Sequence, residues 1–413
     1  MGSFTFVCNE CGARYAERDV RYVCPACAVR HLPGGATRGV LRVELDAPPR
    51  HWPGTRLADA HTLAAFLPVT TADAIPLLPV GATPLLPAPG LRRMLAMPHL
   101  WVKDDTRNPS GSTKDRASLL VVAKAVEYGA DTIACASTGN AATALACIAA
   151  AAGVRAVVFV PAAAPPAKLV QIASYGARLI PVAGSYDDAF ELSLAACERF
   201  GWYNRNTAFN PFTIEGKKTA AIEIAAELGP DGPDAVLVPT GDGVIVSGVA
   251  KGFEDLVRGG LLRRVPRLLA VQPEGSCAIA RALREGAPAV TPIAGAASVA
   301  DSLVVGAPRN AIMALAAVRA SGGGGVSVPD AAILDAIGSL ARATGVFAEP
   351  AAAAPLAGLL AAIDEGLVGR DERVVLLVTG TGLKDVAAAA RTVTIPPPIA
   401  PELDAVERAL AAP

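Results

Sequence analysis

In the run NPSGSTKDRAS, residues 108–118, Lys114 stands between an apolar segment ending LWVKDD and a run of small and apolar residues beginning LLVVAKAV. A lysine at the junction of a predicted strand and a predicted helix is a candidate to form an imine with a carbonyl group, because a desolvated amine gives up its proton readily and becomes a nucleophile. Lys103 and Lys124, on either side, read as ordinary solvated lysines. Four thiols form a second group able to do chemistry. Cys8 and Cys11 make one C-x-x-C pair and Cys24 and Cys27 another, with Gly12 after the first and Pro25 inside the second. Four thiolates on two tight turns can close a tetrahedron around Zn²⁺, and a site filled by four protein ligands serves folding or docking because no position is left for a substrate. Two disulfides, or four buried thiols, are the alternatives. Cys135, Cys147, Cys197 and Cys277 lie in apolar surroundings and read as core.

Three loops add polar groups that a ligand could use. In CASTGNAAT, Ser137, Thr138, Gly139 and Asn140 lead from a predicted strand into a predicted helix, where free backbone N–H groups and hydroxyls suit a carboxylate, though Ser or Thr would serve equally as a plain cap. In VPTGDGVIVSG, Gly241, Asp242 and Gly243 precede a helical stretch that starts at Val244 and Ile245. Glycines there let the backbone approach a phosphate, and the helix start adds partial positive charge. In LLVTGTGLKD, Thr379 ends a predicted strand. An imine lysine and a phosphate cradle on one α/β body are the joint requirement of pyridoxal 5′-phosphate (PLP).

These loops need a scaffold, and the chain has its rhythm. From GATPLLP onward, short β-branched runs such as TIACAS and RAVVFVP alternate with longer Ala-rich helical patterns, and AVLVPTGDG, RLLAVQPEG and RVVLLVTGTG continue the series. This predicts βαβ units and parallel sheets, with ligands beyond the carboxyl ends of the strands. The 413 residues are enough for several domains. A hydrophobic share of 52 % is broken by Gly and Pro before any run reaches membrane-spanning length, and no basic, then apolar, leader opens the chain, so a cytoplasmic protein is expected. A net charge of −1 without a basic stripe argues against a nucleic-acid partner.

GATPLLP, NPSGSTKDR, ASTGNAA, KLVQIASYGARLIPVAGSYDDA, NPFTIEGKKTAAIEI, GVFAEPAAAAPLAGL and VTGTGLKD occur in an order that resembles threonine synthases, within the fold-type II PLP-dependent enzymes, from about Gly81 to about Asp385. The resemblance implies an α/β fold with two parallel-sheet domains and the cofactor in the cleft between them. The cysteine spacing gives a zinc-ribbon-like module over residues 1–32 and the Pro, Gly and Ala-rich composition a linker or wrap over 33–80, while the resemblance implies a large PLP-binding domain over 81–124 and 211–395 and a small domain over 125–210, followed by a tail over 396–413. The resemblance further implies that Lys114 holds the cofactor as an imine and moves protons, that Asn140 meets the phenolic oxygen of the ring, and that Ser137 and Thr138 grip the substrate carboxylate. Residues Gly241, Asp242, Gly243, Val244 and Ile245 correspond to the cofactor-phosphate loop, and Thr379 to the hydroxyl at the ring nitrogen. A neutral partner there favours elimination and replacement over transamination. Family members are often dimers, so a homodimer acting on a small amino acid is expected.

The chain also departs from the family pattern. Val244 and Ile245 stand where Gly and Asn are usual, Thr213 where Arg is, Thr207 and Ala208 for an Asn-Ser pair, Ala141 for Thr, Thr113 for an aromatic and Lys217 for Gln. These changes remove donors to an anionic substrate tail, so O-phosphohomoserine is expected to be a poor substrate, with Lys217 the one residue that could return a charge. The activity expected is β- or γ-elimination and replacement on an amino acid carrying a leaving group. The alternatives are a serine or threonine ammonia-lyase, a cysteate synthase-like β-replacement enzyme, and a PLP-binding protein without turnover.

Overall fold

The computed structural model describes residues 3–32, 34–52, 61–164 and 166–411. Its strands in chain order are β1 (Phe4–Cys8), β2 (Arg14–Ala16), β3 (Leu41–Leu45), β4 (Leu85–Leu86), β5 (Leu100–Asp104), β6 (Thr132–Ala136), β7 (Arg155–Pro161), β8 (Arg178–Val182), β9 (Tyr203–Asn204), β10 (Ala235–Pro239), β11 (Arg267–Pro273), β12 (Gly324–Val328) and β13 (Val374–Val378). They form three sheets. The largest has the order β12-β11-β10-β13-β5-β4 and is parallel apart from its edge strand β4; the second, β8-β7-β6-β9, is parallel throughout. Every residue of β6, β10 and β13 is buried, as expected of strands covered by helices on both faces. The helix Pro350–Asp364 illustrates the closeness of that cover: a Cβ added at Gly358 would lie 2.6 Å from a methyl of Val271 on β11.

The amino-terminal sheet, β2-β1-β3, is antiparallel. Its third strand comes from the passage 33–80, read from composition as a linker. The alternation in Leu41–Leu45 buries Leu41, Val43 and Leu45 while Arg42 and Glu44 face outward, so the cysteine module extends past residue 32. Leu63, Phe66, Leu67, Val69 and Ile75 from the same passage are also core residues; its segment 53–60 lies outside the described residues. The module packs on the body through Phe4 and Phe6, whose rings meet Phe212 at 5.8 and 5.7 Å.

Lys103 and Lys124 are buried, contrary to the sequence reading. Lys124 pairs with Glu17 and Glu127, each at 2.6 Å. Lys103 sits 2.7 Å from Glu223 in a buried lattice in which Arg116 also contacts Glu223 at 2.5 Å and Asp105 at 2.7 Å, and donates to Thr83 Oγ1 and Thr219 Oγ1. Such charges tolerate burial because each is paired and hydrogen-bonded. Among the described residues no helix is long and apolar enough to cross a membrane.

Candidate active site

Lys114 is the first residue of the helix Lys114–Glu127, and the odd composition of NPSGSTKDRAS is explained by the turn that leads to it. Asn108 accepts from the Gly81 amide at 3.0 Å and donates to the Asp105 carbonyl at 3.1 Å, while the Asp115 carboxylate takes the Ser110 amide at 2.6 Å and its hydroxyl as well. Gly111 has φ +84°, and a Cβ there would fall 2.8 Å from Thr381 Cγ2. The turn is then laced to the end of β13: the Thr113 amide donates to the Thr379 carbonyl at 2.8 Å and the Thr381 amide to the Gly111 carbonyl at 3.0 Å. Polar residues here fix the backbone of the lysine rather than react.

Lys114 opens onto a cavity of about 410 Å³ lined also by Ser137, Thr138, Asn140, Lys217 and residues 241–245. Chain segments far apart in sequence meet there because β6, β9 and β10 all end at this cleft, as strand ends do in parallel sheets. Burial lowers the Lys114 ammonium to about 8; Glu349 and Asp242 oppose the shift and Arg205 adds to it. Thr379, not among the residues lining this cavity, is buried and holds the Thr113 backbone.

Residues 241–245 fit a phosphate. Gly243 has φ +88°, and a Cβ there would lie 2.7 Å from that of Ala314, so only glycine makes this turn without displacement. The helix Val244–Arg258 then begins with no side chain capping it, which leaves its first N–H groups to an anion at the cavity wall. Val244 and Ile245 do not impair this cradle, since their contribution would come from the backbone. The Asp242 carboxylate accepts the Arg309 amide at 3.0 Å and so fixes the neighbouring loop.

Three residues that the sequence reading passed over take part. Arg205, just after β9, is buried beside the cavity; its Nε donates to Ser118 Oγ at 3.2 Å, one Nη to Thr207 Oγ1 at 3.3 Å, and its second Nη has no partner among the described residues. Glu349 accepts the Asn140 side-chain amide at 2.8 Å, and burial raises its carboxyl to about 7. Arg309 pairs with Asp187 across the cavity mouth at 2.5 Å. Lys217, which the sequence did single out, donates to the Thr213 carbonyl at 2.8 Å, and burial with Lys114 and Arg205 nearby holds its ammonium well below the usual lysine range. Thr213 itself is turned to the Asn210 carbonyl, and Ala208 takes φ +63° in the core.

Apart from this cleft, the four amino-terminal thiols form a cluster whose sulfurs all lie within 4.8 Å of one another. Cys8 and Cys27 are 3.8 Å apart and Cys11 and Cys24 3.7 Å, too far for disulfides. A tetrahedron with Zn–S bonds of about 2.3 Å has edges of about 3.8 Å, so the spacing suits that ion.

Two parallel sheets, a half-buried lysine at the head of a helix and a glycine-bounded helix start that fits a phosphate define a fold-type II PLP-dependent enzyme. The chain belongs to that family: the pyridoxal-phosphate dependent enzyme family matches residues 77–380. Within it the chain is threonine synthase-like. It is 36 % identical to a threonine synthase of Methanosarcina acetivorans over 98 % of both chains, and 34 % identical to that of Methanocaldococcus jannaschii, again over 98 % of both. Among solved structures it resembles a threonine deaminase from T.th., with 27 % identity, a TM-score of 0.61 and coverage of 72 % of this chain and 92 % of that one. The processed threonine deaminase isoform 2 of Solanum lycopersicum, at 20 % identity and a TM-score of 0.65 over 84 % of this chain and 100 % of that one, shares the fold.

Proposed function

We propose that this protein removes a β or γ leaving group from an amino acid and can add a nucleophile in its place, and that the leaving group is anionic. The observation that carries the second part is the clustering of Arg205 and Lys217 with Lys114 at one cavity, with a buried guanidinium nitrogen that finds no acceptor among the described residues. A buried donor left unpaired is costly, and an oxyanion is its natural partner. The expectation of a poor O-phosphohomoserine site counted the losses at Thr213, Thr207 and Ala208 but not Arg205. The similarity to threonine synthases over nearly the whole chain supports the same reading.

Bound PLP supplies an electrophilic carbonyl and a ring that accepts electron density from the substrate carbons. Residues 241–245 would hold its phosphate and Lys114 its carbonyl carbon. The Lys114 amine would also take and return protons at the substrate carbons, a task suited to an ammonium that burial lowers to about 8. Ser137 and Thr138, at the start of the helix Asn140–Ala152, bind the substrate carboxylate. Asn140, held by its hydrogen bond to Glu349, would meet the ring, and Thr379 would supply the hydroxyl for its nitrogen. Cys8, Cys11, Cys24 and Cys27 hold a structural zinc ion.

The test is a panel of amino acids with the holoenzyme, following cofactor absorbance together with release of phosphate or ammonia. Phosphate release from O-phosphohomoserine at a kcat/KM of about 10⁴ M⁻¹s⁻¹ or more is the expected result. Efficient ammonia release from serine or threonine, with no turnover of phosphorylated amino acids, overturns the anionic leaving group and leaves an ammonia-lyase.

A further inference from the structure

The thiol cluster and the cavity are joined by a short strap, residues 34–40. At one end it is fastened to the cysteine knuckles. The Cys24 amide donates to the Gly39 carbonyl at 2.8 Å, the Asn9 amide to the Val40 carbonyl at 3.0 Å, and Gly39, at φ +71°, runs so close that a Cβ would meet the Cys24 carbonyl at 2.9 Å. Glu10, set between Cys8 and Cys11, accepts Arg38 Nε at 2.8 Å and the Gly39 amide at 2.5 Å. At its other end the strap is part of the cavity wall. Gly34 lines the cavity, and the Thr37 amide donates to the Arg309 carbonyl at 2.8 Å. Val40 packs with Ala208, Ile214, Met313 and Val244, the first residue of the phosphate-cradle helix.

Arg309 is therefore held on three sides: its carbonyl by Thr37, its amide by Asp242 and its guanidinium by Asp187. The holds from Asp242 and Asp187 come from within the enzyme body. The hold from Thr37 is set by the knuckles, through a strap whose path Glu10 and Cys24 fix.

We propose that the strap 34–40 is a positioning element of the active site, with Thr37 holding Arg309 against the cavity mouth, and that the task of the thiol cluster is to anchor that strap. The module then shapes substrate binding and takes no part in bond-making. The inference rests on the cavity being the substrate site, so its test includes a measurement independent of turnover.

Glu10→Ala cuts the knuckle from Arg38 and Gly39 without touching a thiol. In the full-length holoenzyme, zinc should stay at about one per chain and cofactor absorbance should be unchanged. KM should rise about tenfold with kcat nearly constant, in line with the sensitivity of substrate placement to small displacements. Trypsin should cleave after Arg38 markedly faster than in the wild type. Arg18→Ala, on an exposed side chain of the same module, serves as the control and should change neither. Unchanged cleavage and unchanged KM in Glu10→Ala overturn the proposal and leave the cluster a folding device only. Faster cleavage with unchanged KM overturns the link to the cavity. A wild type that responds to no amino acid refutes the functional reading instead, while the cleavage result still tests the anchoring.

Discussion

The Asn140 side-chain amide donates to Glu349 across 2.8 Å, tying the first residue of a helix behind β6 to the residue that precedes the helix Pro350–Asp364 against the large sheet. One carboxylate thus bridges the two layers at the site. Burial raises it from an ordinary 4.5 to about 7, against the pull of Lys114 and Lys384. Between those values the folded protein keeps a proton that the unfolded chain has released, so this group makes stability fall as pH rises through the window. In Glu349→Gln that contribution is absent. Thermal unfolding of the cofactor-stripped proteins should therefore show the variant gaining on the wild type from pH 4.5 to about 7 and holding its gain above. A constant difference across the window contradicts this account.

Lys114→Ala should remove borohydride-fixable cofactor and lower turnover by at least about 10³-fold, because no neighbouring side chain is placed to do both tasks. Lys217 is the obvious substitute, yet its Nζ is engaged with the Thr213 carbonyl. Mass spectrometry after reduction reads which lysine carries the cofactor; a label on Lys217 in the wild type refutes the assignment.

Arg205→Gln and Lys217→Gln each replace a buried nitrogen donor of the cavity wall. A hydrogen bond to a charged group is worth about 1.5–3 kcal/mol, so kcat/KM for an amino acid with an anionic side chain should fall about 10- to 100-fold. Serine, which has no such group, should be affected far less. Equal losses for both substrates would assign the two residues to folding.

Gly243→Ala puts a Cβ at φ +88° and 2.7 Å from the Ala314 Cβ. Strain of this kind costs about 1–3 kcal/mol and displaces the first turn of the cradle. Cofactor titration by absorbance should show weakened binding, and inorganic phosphate should compete less well. Cofactor affinity equal to the wild type excludes the loop as the phosphate site.

Cys24→Ser should lower bound zinc below one per chain and destabilise the β2-β1-β3 sheet, since the Cys24 side chain is buried and its sulfur is one of the four in the cluster. Metal analysis with thermal unfolding checks both. Full zinc content with an unchanged melting profile favours inert thiols.

The parallel sheets were legible because β6, β7, β10 and β13 are continuous apolar runs ending close to Gly, Ser, Thr or Pro. Lys114 and the glycine loop were legible because their surroundings break that pattern. Arg205 was hidden because β9 is two residues long and shows no period, and because its partners Ser118 and Thr207 are ordinary hydroxyls until the fold joins them. Glu349 was hidden in an Ala- and Pro-rich stretch, because its meaning depends on Asn140, over two hundred residues away. β3 was masked by the proline and glycine around it, although its alternation was there to be read.

The lattice of Lys103, Asp105, Arg116 and Glu223 has a consequence for substitution. Replacing Arg116 or Glu223, the two members with two partners each within it, takes an ion-pair partner from an opposite charge in the interior, and breaking a buried pair in this way commonly costs about 3–5 kcal/mol. A single substitution at either of those two residues is therefore costly, while Thr213, Ala208 and Lys217 stand outside the lattice. The helix that Lys114 opens is thus anchored by paired charge two residues on, at Arg116.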